Sequence, residues 1–185
     1  MIIVEGPDGA GKSTLCRELA SEFHVPIHIK EPKDGPTNAR ENTYEALQRA
    51  VSWDESIRIY DRLYFSELVY GSILRDKVDF SPKEQLHIEG VLLGLKCPII
   101  FCDLPRSLLR SNVEADEEGQ LMGVRENLDK ISLRYHQIYR RLYEQSKVLY
   151  EYDYTGSIDN QKHAVFGAVE AYLTFRGAGA DGRTA

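Results

Sequence analysis

The chain has 185 residues, 42% of them hydrophobic and 28% charged, with a formal net charge of −6. That length allows one packed domain, and the acidic balance argues against a broad nonspecific nucleic-acid surface, though not against a local basic cleft. No apolar run approaches the length of a membrane span, and the opening Met1-Ile2-Ile3-Val4 lacks the charged start of a leader, so a cytoplasmic protein with no membrane partner is expected.

In chain order, residues 2–5 read as a short apolar strand. Gly6-Pro7-Asp8-Gly9-Ala10-Gly11-Lys12-Ser13 follows, and it fits G-x-x-x-x-G-K-[ST] at every fixed position. Residues 12–23, with Thr14 in the first turn, read as a helix. Residues 26–30 alternate apolar and polar as a second strand, and Glu31-Pro32-Lys33-Asp34-Gly35-Pro36-Thr37 is a turn-rich loop. A helix over 41–52 carries Tyr44, Leu47 and Val51 at helical spacing. A third strand over 57–60 ends in Asp61-Arg62, and helices over about 66–75 and from Ser81-Pro82 to about 95 come next. Residues 98–102 form a continuous apolar run, hence a fully buried fourth strand.

A short helix to about 112 precedes an aperiodic stretch over 113–123. From Val124 the apolar positions Leu128, Ile131, Tyr135, Ile138 and Leu142 mark a long amphipathic helix. A fifth strand over 147–152 and a helix capped by Ser157 follow. The expected organisation is one domain over 1–175, a lid at about 110–125, and a disordered small, polar tail over 176–185. Alternating strands and helices without repeats predict an α/β fold: three layers, with a five-stranded parallel sheet covered on both faces. Cys16, Cys97 and Cys102 are odd in number and hold no C-x-x-C pair, so buried reduced thiols are expected rather than a disulfide or a metal site.

The glycine-rich segment carries chemistry. Its glycines free backbone N–H groups to converge on phosphate oxygens, and the helix behind presents its positive end to the anion. Lys12 reaches the β- and γ-phosphates, and the Ser13 hydroxyl ligates Mg²⁺. Gly6 to Thr14 is therefore the ATP-binding segment. Asp61, at a strand end, stands where a second carboxylate serves Mg²⁺, and Arg62 beside it suits a second phosphate as a planar, bidentate donor. The plain alternatives are a turn acid for Asp61 and a surface ion pair for Arg62. The histidines show no metal spacing.

In Gly6–Thr14, Glu31-Pro32, and Asp61-Arg62 with Tyr64, the chain resembles the thymidylate kinases, and more broadly the phosphate-loop nucleoside and nucleoside monophosphate kinases. The string from Tyr60 to Gly71 is especially like the small bacteriophage members. The resemblance implies a mobile lid after the fourth strand, Arg62 on the acceptor's phosphate, and Lys30 and Glu31 near the acceptor. Family members place an arginine on the transferring phosphoryl group. Here the phosphate loop has none and the lid core, Glu114 to Gly119, is acidic, so Arg110 and Arg125 at the lid margins, or Lys12 with Mg²⁺, must supply that charge. Arg125 opens the long helix, where its charge opposes the dipole. Tyr64 is the better base-stacking candidate, whereas Phe65 and Tyr70 read as core.

Three activities remain open. The first moves the γ-phosphate of ATP to a (deoxy)nucleoside monophosphate, dTMP or a related dNMP, giving the diphosphate. The second uses a hydroxyl of a deoxynucleoside, or of a hydroxymethylated base in DNA, with Glu31 as general base. The third is a nucleotide-dependent switch or binding protein, which predicts an N-K-x-D guanine motif that the chain does not contain. Small nucleotides are the expected partners in each. Extended nucleic acid enters only as an acceptor, and a homodimer is left open.

Overall fold

Ile2, Ile3, Val4 and Glu5 have no exposed surface at all, which places the first strand at the centre of the sheet. A computed structural model describes residues 1–29, 39–52, 57–116, 123–146, 148–155 and 158–181. Within them lie β1 (Ile2–Glu5), α1 (Lys12–Phe23), β2 (Ile27–Ile29), α2 (Ala39–Val51), β3 (Ile59–Asp61) and α3 (Tyr64–Leu74). They continue with α4 (Pro82–Gly94), β4 (Ile99–Cys102), α5 (Arg106–Ala115), α6 (Val124–Tyr143), β5 (Leu149–Tyr152) and α7 (Ile158–Asp181).

The five strands pair in parallel in the order β2-β3-β1-β4-β5. β1 lies between β3 and β4; the chain builds β2 and β3 on one side of it and then crosses to build β4 and β5 on the other, so the carboxyl end of β1 is a switch point, where a crevice opens. In register, Val4 stands beside Asp61 and Glu5 beside Phe101. The connecting helices cover both faces, as right-handed crossovers require. β4 is buried at every position, as its unbroken apolar run predicts. α6 buries Val124, Leu128, Ile131, Tyr135, Ile138 and Leu142, the face that its spacing marks. α4 starts on a full capping box: Glu84 N–H donates to Ser81 Oγ, and Ser81 N–H donates to Glu84 Oε2 at 2.9 Å. Cys16, Cys97 and Cys102 are free and buried.

Three boundaries depart from the sequence reading. α3 begins at Tyr64, not Ser66, because the side chain of Glu5, far away in sequence, receives the N–H groups of its first turn. α5 continues to Ala115. The last helix runs on to Asp181 instead of giving way to a tail at residue 176. Arg176 is buried there and donates to the Ala50 carbonyl at 2.6 Å, which ties the helix to the body at the point where the tail is expected to begin. Ser157, read as a cap, lies outside the described residues.

Candidate active site

The loop from Gly6 to Gly11 turns under tight steric control. Gly6 sits at φ 144°, and a Cβ built there would lie 2.1 Å from the carbonyl oxygen of Cys102 on β4. Only glycine lets the loop leave β1 this close to its neighbour strand. Gly11, at φ 80°, caps α1, and a side chain there would meet the ring of Tyr154 at 2.9 Å.

Beyond the loop lies a cleft of about 810 Å³, lined among others by Lys12, Ser13, Asp61, Arg62, Asn112 and Tyr154. Ser13 and Thr14 are exposed to it, whereas Lys12 is buried. The Lys12 ammonium donates to the Pro7 carbonyl at 2.6 Å, which curls the side chain back over the loop. Burial, and then Arg62 nearby, lower its pKa to about 8. The Ser13 hydroxyl donates to Asp61 Oδ2 at 2.6 Å. A hydroxyl and a carboxylate, both hard oxygen donors, therefore meet at the mouth of the phosphate loop. Mg²⁺ is held by one or two carboxylates plus phosphate oxygens, so this pair fits it, and among the described residues no cluster of three or more His, Cys, Asp or Glu competes.

Arg62 adopts φ 69°, a left-handed conformation costly for a residue with a Cβ. Its N–H donates to the Val4 carbonyl at 2.9 Å. Its guanidinium pairs with Asp8 of the phosphate loop and lies 4.8 Å from the Tyr70 ring centroid. Tyr70 donates its own hydroxyl to Asp8 Oδ2 at 2.8 Å. Burial opposes the Asp8 charge, but Arg62, Lys12 and the Tyr70 hydroxyl outweigh it and hold the carboxyl below its ordinary range. Beneath this turn, Glu5 is wholly buried. Desolvation raises its pKa, against the pull of its Ser66 and Leu63 donors.

Tyr64 does not face the cleft. It has no exposed surface, donates to Glu89 Oε1 at 3.2 Å, and packs edge-on against Phe65 and Phe80. A base cannot stack on it, and the expectation is corrected: the turn at Arg62 swings the next residues inward. Tyr70 and Phe65 are buried, as read. Arg110 is exposed and pairs with Asp129 at 3.3 Å, and Arg125 donates to the Asp116 carbonyl at 3.2 Å. Neither lines the cleft. Lys30 and Glu31, and residues 117–119 of the lid core, lie outside the described residues.

No protein-family model matches the chain. A thymidylate kinase of Leuconostoc citreum is 30% identical over 175 residues, an alignment spanning 77% of this chain and 78% of that protein. The chain belongs to the thymidylate kinase family. The SPbeta prophage-derived protein YorR of Bacillus subtilis is 24% identical over 138 residues, or 75% of this chain and 81% of YorR. The crystal structure of YorR in complex with phosphorylated GDP superposes with a TM-score of 0.67 over 91% of this chain and 95% of that one, at 23% identity. A deoxyadenosine kinase from M. mycoides with bound dCTP superposes with a TM-score of 0.56 over 92% of this chain and 100% of that one, at 17% identity. These two likenesses carry the fold.

In this thymidylate kinase family member, sequence reasoning missed two further supports of the loop. Asn112, on α5, donates its amide to the Gly9 carbonyl at 2.8 Å and to the Tyr154 hydroxyl at 2.9 Å. Tyr154, after β5, presses its ring on Gly11. Together they pin the phosphate loop from the side of β4 and β5. A polar residue on the helix after β4 and an aromatic after β5 are the only sequence signals for them.

Proposed function

We propose that the chain transfers the γ-phosphoryl group of ATP to a (deoxy)nucleoside monophosphate, with dTMP the first candidate, and releases the diphosphate. The observation that carries this reading is the second cation in the cleft. Lys12 serves the donor's phosphates, and Arg62, on a different strand end, brings a second, fork-shaped phosphate donor to the same cleft. The family membership supports the same reading.

The donor's phosphates lie against the loop N–H groups and the positive end of α1, with Lys12 turned from Pro7 onto them. Ser13 and Asp61 would hold Mg²⁺, which neutralises charge on the transferring phosphoryl group. Arg62 leaves Asp8 to grip the acceptor phosphate through its fork of donors and orients the attacking oxygen. That oxygen is already anionic, so no general base is needed. Lys12 stabilises charge on the equatorial oxygens. Of the lid-margin arginines, Arg125 is the better candidate to join it, since it is tied to Asp116, which lines the cleft. Lys30 and Glu31, after β2, are assigned to the acceptor's side.

The test is a coupled assay of the purified protein with ATP, Mg²⁺ and a panel of dNMPs, deoxynucleosides and hydroxymethylated DNA. Turnover with a dNMP, and with dTMP above the others, is expected. Turnover confined to deoxynucleosides or to DNA would replace this reading with a hydroxyl kinase, and nucleotide exchange without transfer would replace it with a switch.

A further inference from the structure

Glu5 is an acid with no exposed surface at the end of the central strand, and the transfer mechanism above leaves it unused. Burying a carboxylate is costly unless its lone pairs are taken up, and here they are. Oε1 accepts the Leu63 N–H at 2.7 Å and the Ser66 N–H at 3.3 Å. Oε2 accepts the Ser66 hydroxyl at 2.5 Å and the Tyr135 hydroxyl at 3.3 Å. Ser66 and Tyr135 also touch each other at 2.9 Å. The two N–H groups belong to the start of α3, whose N-cap, Leu63, has no side chain able to cap it. Helix starts leave such donors orphaned. Glu5 supplies from β1 the cap that α3 lacks.

The residue just before that cap is Arg62, held at φ 69°. Strained backbone of this kind persists only where its surroundings over-determine it. On one side the Arg62 N–H is fixed to Val4, and on the other the Leu63 N–H is fixed to Glu5. Val4 and Glu5 are adjacent on β1, so one strand end grips the turn at two successive residues. Tyr135 brings in α6, and its ring stands edge-on to Tyr70, 6.2 Å between centroids. Tyr70 in turn lies under the guanidinium.

We propose that Glu5 is the positioning residue for Arg62: its carboxylate caps α3 and so fixes the left-handed turn that delivers the guanidinium into the cleft. The kinetic half of this inference rests on the assignment of Arg62 to the acceptor phosphate. Glu5→Gln keeps the shape and one capping oxygen but turns a donor toward the Ser66 and Tyr135 hydroxyls. It should leave the affinity for a non-hydrolysable ATP analogue within about threefold and lower kcat/KM for the acceptor on the order of 10²-fold, as a small misplacement of a positioning group does. In an Arg62→Ala background the same change should cost nothing further, because Glu5 acts through Arg62.

A readout without turnover accompanies it. In the free wild-type protein the Arg62 Nη–H resonances, on the group that pairs with Asp8, should be protected from solvent exchange, and in Glu5→Gln they should exchange freely. If the wild type phosphorylates no monophosphate, the functional reading fails, while the resonances still test Glu5. If Glu5→Gln does not fold, Ser66→Ala and Tyr135→Phe each remove one donor and keep the carboxylate, and a graded loss of protection is expected. Additive losses in the double variant, or an unmoved Arg62 resonance in the folded variants, would overturn the proposal.

Discussion

Removing the Arg62 guanidinium separates the acceptor's side of the cleft from the donor's. Both Arg62 and its partner Asp8 are about three-quarters buried, with side-chain exposures of 25% and 25%. Truncating one member of a hydrogen-bonded charge pair costs ~2–5 kcal/mol, and partial exposure places Arg62 inside that range, at about 3–4 kcal/mol. In transition-state terms this is a loss of roughly 150- to 900-fold in kcat/KM for the acceptor. Asp8 keeps the Tyr70 hydroxyl and Lys12 beside it, so Arg62→Ala should fold. Arg62→Lys restores the charge without the fork and should recover about one factor of ten. Steady-state assays varying each substrate in turn provide the measurement. KM for ATP should stay within about threefold of wild type, since a group on the other substrate contributes little to ground-state ATP binding. Weakened ATP affinity with unaltered acceptor kinetics would put Arg62 on the donor and refute the assignment.

Gly6→Ala should abolish nucleotide binding and destabilise the protein by about 2 kcal/mol or more, because its Cβ meets the backbone of Cys102, which cannot yield as a side chain would; an unchanged melting midpoint counts against the loop geometry. Arg141→Ala should cost about 3 kcal/mol in urea denaturation, near the low end for breaking a buried pair, since Arg141 is half-exposed but leaves buried Glu89 without its two bonds at 2.6 and 2.7 Å. His136 lies 3.2 Å from Asp103, and that hydrogen bond raises its pKa above 6.5. The pair therefore adds stability below the unfolded value and loses it as pH rises through the folded one. An NMR titration should show the raised His136 value falling back in Asp103→Asn, and an identical titration in both proteins would contradict the pairing.

Much of the fold was legible because its signals are local. The α6 stripe is six side chains at helical spacing, and all six are buried. β4 announces itself as an apolar run, and α4 by Ser81-Pro82. The phosphate loop is legible for the same reason: its chemistry resides in one contiguous segment. What escaped was long-range. Asn112 meets Gly9 across 103 residues, and Glu5 meets Leu63 across 58, and no spacing rule reaches that far. Tyr64 is near Arg62 in sequence, but its side chain does not share the cleft with it in space. Tyr64-Phe65 followed by Leu68-Val69 is a buried helical face, and that period was the better guide. The run Gly-Ala-Gly-Ala suggested a tail by its glycines, although its alanines favour helix.

The pairing of Asp8 with Arg62 gives a further way to tell the acceptors apart. In the free protein the Arg62 guanidinium is already paired with Asp8 at the edge of the cleft. A ligand that takes the guanidinium must offer at least what Asp8 offers. A phosphate does, with more charge and a matching fork of oxygens. A sugar or base hydroxyl does not, since it carries no charge and offers one oxygen where the carboxylate offers two. A monophosphate acceptor should therefore displace Asp8 and shift the Arg62 Nη–H resonances, and the corresponding nucleoside should bind without moving them. The titration requires only the free protein, labelled at arginine, with dTMP and thymidine added in turn at saturation. Equal shifts with both ligands, or a shift with thymidine alone, would mean that the guanidinium answers to the sugar or base rather than to the phosphate.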